Sequence, residues 1–278
     1  MPLHIAIPSY KRVEHLQTKT LAFLDKHNLL DLVTVFVANE EEYKLYHDAI
    51  GTRVKLIVGV PGIGPQRKFI YNYYPENSYV FSIDDDIKDL IGLQTGALNA
   101  FGLRALIDYG FSLCENNKCR LWGIYPVANP FFMSQEYTTK LCYICACFFG
   151  YIKRGPSPPQ PDESWKEDIY RSCSYYKTDG KVIRINSFAP VTKYYLKQGG
   201  LYAEGRTRET DLQGCQRIAA DFPTYVEIYY KKKTNWPEIR FRRNAALALA
   251  PLSSIQPKLN FQTKIEWPGG VGSITPAE

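Results

Sequence analysis

The chain has 278 residues, with 34 Lys or Arg, 28 Asp or Glu and a net charge of +6 at neutral pH. At 45% hydrophobic and 22% charged residues it is too apolar for a disordered chain and too charged for a membrane bundle. Collagen, coiled-coil and disulfide-scaffold classes are excluded, and the length suits one large domain or two small ones.

The opening residues, MPLHIAIPSYKR, lack a signal peptide's charged start, apolar run and cleavage site, and no run of about 18 apolar residues follows. The expected protein is cytoplasmic, with no membrane span, and a viral or phage source stays open. The seven Cys are expected to be buried, reduced thiols. Cys142 and Cys145 form a C-x-x-C, but no second Cys pair follows at zinc spacing.

In chain order, LHIAI (Leu3 to Ile7) reads as a short buried strand. Val13, Leu16, Leu21 and Leu24 then recur near helical spacing between Lys11 and Asn28. LVTVFVA (Leu32 to Ala38) is a β-branched strand, and EEEYKLYHDAI a helix with acids in its first turn, where the helix dipole favours them. VKLIVGV (Val54 to Val60) is a third strand. A glycine turn leads into a helix at PGIGPQRKFIYNYY, with Pro65 near its start. YVFSI (Tyr79 to Ile83) is a fourth strand, and it runs into Asp84-Asp85-Asp86.

This β-α alternation predicts a parallel sheet with covering helices, a Rossmann-like α/β class. Such sheets bind ligands beyond the carboxyl ends of their strands. Four polar clusters fall at such ends: PSYKR, NEEE, GIGPQR and DDD.

Beyond a helix from about Ala97 to Asn116 the pattern is richer in β. RLWGIYPVAN and LCYICACFFGYIKR read as paired strands, and GPSPPQPDES as a linker or a lid. WKEDIYRSCSYYK reads as a helix, KVIRINSFAP as one strand, RETDLQGCQRIAADF as a helix and TYVEIYY as the last strand. The tail from Pro251 has the Pro, Gly and Ser content of a loop. The expected organisation is a single domain over 1–278, with one half over about 1–95, a second over about 96–258 and a loop-like tail over 259–278.

Three adjacent carboxylates repel one another and bind protons more tightly unless a cation lies among them. Strand-like spacing would point Asp84 and Asp86 the same way and Asp85 the other. Asp84 and Asp86 could then share one divalent ion, and oxygen donors favour Mg2+ or Mn2+ over zinc. The alternative is a solvated turn. Pro8, Ser9 and Arg12 offer a turn, a hydroxyl and a cation near a helix start, suited to a phosphate or simply to capping. Gly62, Gly64, Gln66 and Arg67 could let a ligand approach the backbone closely, with Arg67 reaching a diphosphate. The glycines match neither the P-loop nor the dinucleotide fingerprint.

The order IPSYKR…GVPGIGPQRKFI…FSIDDDI resembles the GT-A glycosyltransferases, and within them the TET/JBP-associated group related to the base J glucosyltransferase. The likeness covers about residues 1–90 and includes Glu40 as the acid after the second strand. It implies a nucleotide-sugar donor, UDP-glucose by default, bound by Pro8, Ser9, Arg12, Glu40, Gly62, Gln66, Arg67, Asp84 and Asp85. Asp86 and Asp84 would hold the metal, and the acceptor would be a hydroxymethylated pyrimidine in DNA. The family's later acidic motif matches Glu167-Asp168. In inverting members this carboxylate is the general base, with Asp168 preferred here and Glu167 as substitute. The third metal ligand of many members, often a late His, has no counterpart, since all four His lie at or before residue 47. Asp211 is a candidate replacement. The alternative acceptor is a glycan, lipid or protein.

The segment from Phe222 to Lys258 holds seven basic residues and two acids. Lys231, Lys232, Lys233, Trp236, Arg240, Arg242 and Arg243 interleave cations with aromatics, as phosphate contact plus base stacking would require. A solvated, solubilising edge is the plain alternative.

Overall fold

A computed structural model describes residues 1–94, 98, 102–155, 158, 160, 165–192 and 205–242. The strands are β1 (Leu3–Pro8), β2 (Val33–Val37), β3 (Lys55–Val58), β4 (Ser78–Ile83), β5 (Asp89–Gly92), β6 (Leu121–Ile124), β7 (Tyr137–Thr138), β8 (Phe148–Lys153), β9 (Ile183–Ile185), β10 (Phe188–Val191), β11 (Val226–Tyr230) and β12 (Pro237–Phe241). The helices are α1 (residues 13–26, with Leu16–Leu21 wound as a π-helix), α2 (Glu40–Ile50), α3 (Ile63–Tyr73), α4 (Leu103–Asn117), α5 (Glu167–Asp179) and α6 (Arg208–Asp221).

Eight strands form one sheet in the order β3-β2-β1-β4-β8-β6-β9-β7. The run from β3 to β4 is parallel, as the βαβ alternation dictates. β8 enters antiparallel between β4 and β6. β10 pairs with β5, and β11 with β12, as two small antiparallel ribbons.

Strand alternation separates two apolar layers. Ile5, Ile7, Val35, Phe81 and Phe148 face Leu16, Leu24, Tyr46, Leu106 and Phe111, from α1, α2 and α4. Ala6, Phe36, Val80, Phe149 and Tyr151 face Ile70, Tyr71, Ile169, Cys173 and Ile218, from α3, α5 and α6. The largest fully buried side chain, Trp122, packs against Phe81, Phe111 and Phe148 and fits because Gly110 and Gly150 leave room for its ring. A Cβ at Gly110 or Gly150 would lie 2.4 or 2.2 Å from the Trp122 ring.

The structure corrects several expectations. LCYICACFFGYIKR is not one strand. It turns at Ala146 and Cys147, and pairing begins at Phe148. KVIRINSFAP divides at Asn186 and Ser187 into β9 and β10, which belong to different sheets. TYVEIYY is not the last strand, because β12 follows it. The helix expected from Ala97 is described from Leu103. The tail from 251 and most of the Pro-rich segment lie outside the described residues. Among the described residues no helix is long and apolar enough to cross a membrane.

Candidate active site

The carboxyl ends of β1, β2, β3 and β4 share one edge of the sheet. At that edge β4 stops at Ile83, and Asp85 and Asp86 lie in a turn. Strand alternation therefore does not continue through the acids, and they do not divide as a D-x-D strand would place them. Asp84 meets Arg67, with Nη2 donating to Oδ1 at 2.8 Å. Asp85 and Asp86 both approach Arg12 Nη1 at 3.5 Å.

The turn is anchored from three sides. Ser9 Oγ donates to Asp85 Oδ2 at 2.6 Å and lies 2.7 Å from the Tyr46 hydroxyl. That hydroxyl also accepts from the Arg12 N–H at 3.0 Å. The π-helical stretch of α1 presents Thr20, whose Oγ1 donates to the Asp84 carbonyl at 2.7 Å and accepts from the Ile87 N–H at 2.9 Å. The Asp84 N–H donates to the Cys147 carbonyl at 3.1 Å.

Burial raises the Asp84 carboxyl to about 6 and the Asp85 carboxyl to about 7, against the pull of Arg67 on the first and of Ser9 and Arg12 on the second. Like charge within the triplet adds to both shifts. Among the described residues no group of three or more His, Cys, Asp or Glu is arranged to hold a metal. The triplet nevertheless suits a cation shared with a ligand. Asp84 keeps about a third of its side chain exposed (32%), and one of its oxygens is unused by Arg67.

Arg67 does not project as an open cation toward a diphosphate. Its side chain is 5% exposed, and it donates to Asp84, to Ser82 Oγ at 2.9 Å, to the Ala146 carbonyl at 3.0 Å and to Glu167 Oε1 at 2.8 Å. It thereby ties the acidic turn to the first turn of α5. Glu167 is buried between Arg67 and Arg171, and Arg171 Nη1 reaches its other oxygen at 2.5 Å. Both guanidinium groups lie over the Phe149 ring, at 5.2 and 3.8 Å.

Asp168, the next residue, is only partly buried. Its Oδ1 accepts from the Ile169 N–H at 2.9 Å and its Oδ2 from the Tyr143 hydroxyl at 2.5 Å. Burial, then repulsion from Glu167, pushes its carboxyl above the usual carboxylate range. The residue before the pair, Lys166, has a left-handed backbone (φ 57). Its ammonium sits 3.0 Å from Glu238 and 3.9 Å from Asp211, which fixes the start of α5 against α6 and β12.

The remaining candidates divide. Pro8 ends β1 beside Phe36. Gly62 supplies the positive φ of 86° that starts α3. Gln66 is buried and clamps the ends of β2 and β3, accepting from the Val60 N–H and donating to the Val37 carbonyl. Glu40 is exposed at the start of α2. Two residues on, Glu42 is the buried acid and accepts from the Lys11 N–H at 2.9 Å. Asp211 is held by Arg206 at 2.8 Å and by the Trp236 indole N–H at 2.5 Å, so it is not a free third metal ligand. The same bond ties down Trp236, a residue expected to stack on a base. On the β11–β12 ribbon, Lys231 pairs with Glu238 at 2.8 Å, and Arg240 and Arg242 meet Glu227 at 2.7 and 3.6 Å. Lys232 and Lys233 are exposed in its turn. Arg243 lies outside the described residues.

Tyr46, Glu42, Tyr143, Lys166 and Arg171 went unselected in the sequence. Tyr46 and Tyr143 gave no signal, because their partners lie 37 and 25 residues away. Arg171 could have been noticed as the i+4 partner of Glu167.

No protein-family model and no curated protein matches the sequence. Solved structures do. S. aureus TarS 1-349 in complex with UDP-GlcNAc is 12% identical, with a TM-score of 0.50 over 80% of this chain and 66% of that one. S. aureus TarS matches at the same identity and TM-score over 80% of this chain and 40% of that one. The chain thus spans less than two thirds of the length of these structures. The likeness is one of fold, and the fold is GT-A-like: a mixed, mostly parallel central sheet flanked by helices.

Proposed function

We propose that the protein is a glycosyltransferase that takes its sugar from a uridine diphosphate donor. The observation that carries this reading is the Arg67 bridge, which joins the acidic turn after β4 to the Glu167-Asp168 turn of α5 on a GT-A-like sheet. Support for the nucleotide comes from the TarS structure, whose bound molecule is UDP-GlcNAc.

In this reading the donor lies along the carboxyl edge of β1 to β4. Asp84 and Asp86 would hold Mn2+ or Mg2+ together with the diphosphate. The bound ion would offset the negative charge that grows on the leaving group. Ser9 and Arg12 orient the nucleotide side of the site, with Asp85 fixing both. Asp168 takes the proton from the acceptor hydroxyl as that oxygen bonds to the anomeric carbon, while the bond from that carbon to the diphosphate breaks. Tyr143 and the Ile169 N–H hold the carboxylate for this step, and each oxygen keeps a lone pair for the acceptor. Glu167, charge-paired on both oxygens, positions Arg67 and Arg171 and is the weaker choice of base.

The finer part of the proposal is the acceptor, a hydroxymethylated pyrimidine in DNA, in line with the sequence resemblance to the TET/JBP-associated enzymes. Its physical support is the exposed Lys232 and Lys233 at the ribbon's turn. The direct test incubates the protein with Mn2+, labelled UDP-sugars and, separately, hydroxymethylated DNA and glycan acceptors. Transfer to DNA alone, with binding that weakens steeply with salt, supports the whole reading. Transfer to a glycan alone keeps the enzyme class and removes the DNA acceptor. No transfer and no donor hydrolysis with any nucleotide-sugar would sink it.

A further inference from the structure

The loop before β8 places a pair of thiols beside both halves of this site. The turn at Ala146 and Cys147 folds Cys145 back on Cys147, so their sulfurs lie 3.2 Å apart. Side chains at i and i+2 of an extended strand point the same way but stay too far apart for such contact, so the turn creates the pair. Both residues are buried, 5% and 3% exposed. The turn's own carbonyls are in use. Ala146 O accepts from Arg67, and Cys147 O accepts from the Asp84 N–H. Cys145 Sγ is also 3.7 Å from the Tyr143 hydroxyl, which in turn donates to Asp168.

We propose that Cys145 and Cys147 form a redox-active dithiol that a peroxide converts to a disulfide, and that this bond distorts the turn holding the acidic cluster and Asp168. The Cys145 thiolate attacks one peroxide oxygen, the O–O bond breaks and hydroxide leaves, which gives a sulfenic acid. The Cys147 thiolate then attacks the Cys145 sulfur, forms the S–S bond and expels a second hydroxide. Both hydroxides take up the protons lost by the thiols. Two thiols and hydrogen peroxide become one disulfide and two waters. The sulfurs must close from 3.2 Å to about 2.05 Å, a movement within the turn that carries the carbonyls holding Arg67 and Asp84. The Cys147 S–H lowers the proton affinity of Cys145, which favours Cys145 as the attacking group.

The test treats the reduced full chain with equimolar hydrogen peroxide, alkylates it under denaturing conditions and maps tryptic peptides by mass. The peptide over residues 141–153 carries Cys142, Cys145 and Cys147. The expected result, confined to that peptide, is one alkyl group instead of three and a mass about 2 Da below that of the singly alkylated reduced peptide, with three alkyl groups restored when dithiothreitol precedes alkylation. The loss of two alkyl groups should persist in Cys142→Ser and disappear in both Cys145→Ser and Cys147→Ser. Seven alkylated thiols after treatment, a loss that survives in Cys145→Ser, or a crosslink at Cys114 and Cys119 instead would each overturn the assignment. If either Ser variant fails to fold, the wild-type peptide fragmented by tandem mass spectrometry still distinguishes a 145–147 bond from one to Cys142. The effect on the site rests on the glycosyltransferase reading. UDP-sugar binding should weaken about tenfold on oxidation and recover with dithiothreitol. Unchanged binding by the oxidised protein refutes the coupling and leaves the disulfide standing. Absence of binding by the reduced protein counts against the donor and leaves the mass result untouched.

Discussion

The sheet edge and the β11–β12 ribbon both bring Arg and carboxylate groups together, to different effect. At the edge, Arg67 and Glu167 are each 5% exposed, and the guanidinium is divided among two acids, a hydroxyl and a carbonyl. On the ribbon, the Arg240 side chain is 63% exposed and its partner Glu227 34%. A buried pair has given up its water, so removing one member strands the other, whereas water screens an exposed pair. Charge at the edge therefore fixes geometry. Charge on the ribbon is left to water and fixes little of the fold.

The sharpest test of the edge is Asp168→Asn, which keeps the shape and removes the base. The transfer rate should fall on the order of 10²- to 10⁴-fold while UDP-sugar binding holds. A fall shared with Glu167→Gln alone would move the base to the neighbouring residue. Next comes Arg67→Ala. Stranding Glu167 and Asp84 should lower unfolding stability by about 3–5 kcal/mol in chemical denaturation. A loss under 1 kcal/mol would mean that the bridge is not formed in solution.

A smaller effect concerns pH. The carboxyls of Asp84 and Asp85 titrate near 6 and 7 in the fold, above their unfolded values. The native state therefore binds more protons than the unfolded chain from about pH 4 to pH 7, and stability falls as pH rises through that window. The melting temperature without divalent ions should drop between pH 5 and pH 7.5. Asp85→Asn should flatten that slope, and Mn2+ should stabilise more at pH 7.5 than at pH 5. A wild-type melting temperature that is flat or rises over this range contradicts the burial argument. The smallest effect is expected on the ribbon, where Arg240→Ala should cost less than about 1 kcal/mol. Reversing Lys232 and Lys233 to Glu should leave stability unchanged and, if DNA binds there, reduce the salt slope by about two counterions.

The first 90 residues were legible because each strand is a run of β-branched or aromatic residues and each helix repeats near 3.6. The alternation alone then forces parallel order. Legibility declined where structure depends on distant partners. β5 is four residues long and exists because β10 pairs with it from nearly 100 positions away. Cys142 to Cys147 is as apolar as a strand, yet it is a loop packed under α5, and composition cannot separate the two. In the site, residue types were readable and their directions were not. Arg67 reads as a phosphate ligand until the fold places Glu167 against it. Strand alternation would set the directions of Asp84, Asp85 and Asp86, but β4 ends at Ile83.

The π-helical winding of Leu16–Leu21 has a consequence for how this chain can change. Such a segment holds one residue more than an α-helix of the same span. Deleting Thr20 would bring Leu16 and Leu21 to i, i+4 spacing and let the helix relax to regular winding with both still in the core. It would also remove the hydroxyl that holds the Asp84 carbonyl and the Ile87 N–H. A one-residue gap at Thr20 in a related sequence would thus mark a protein that keeps the sheet but has lost the brace beneath its carboxylates.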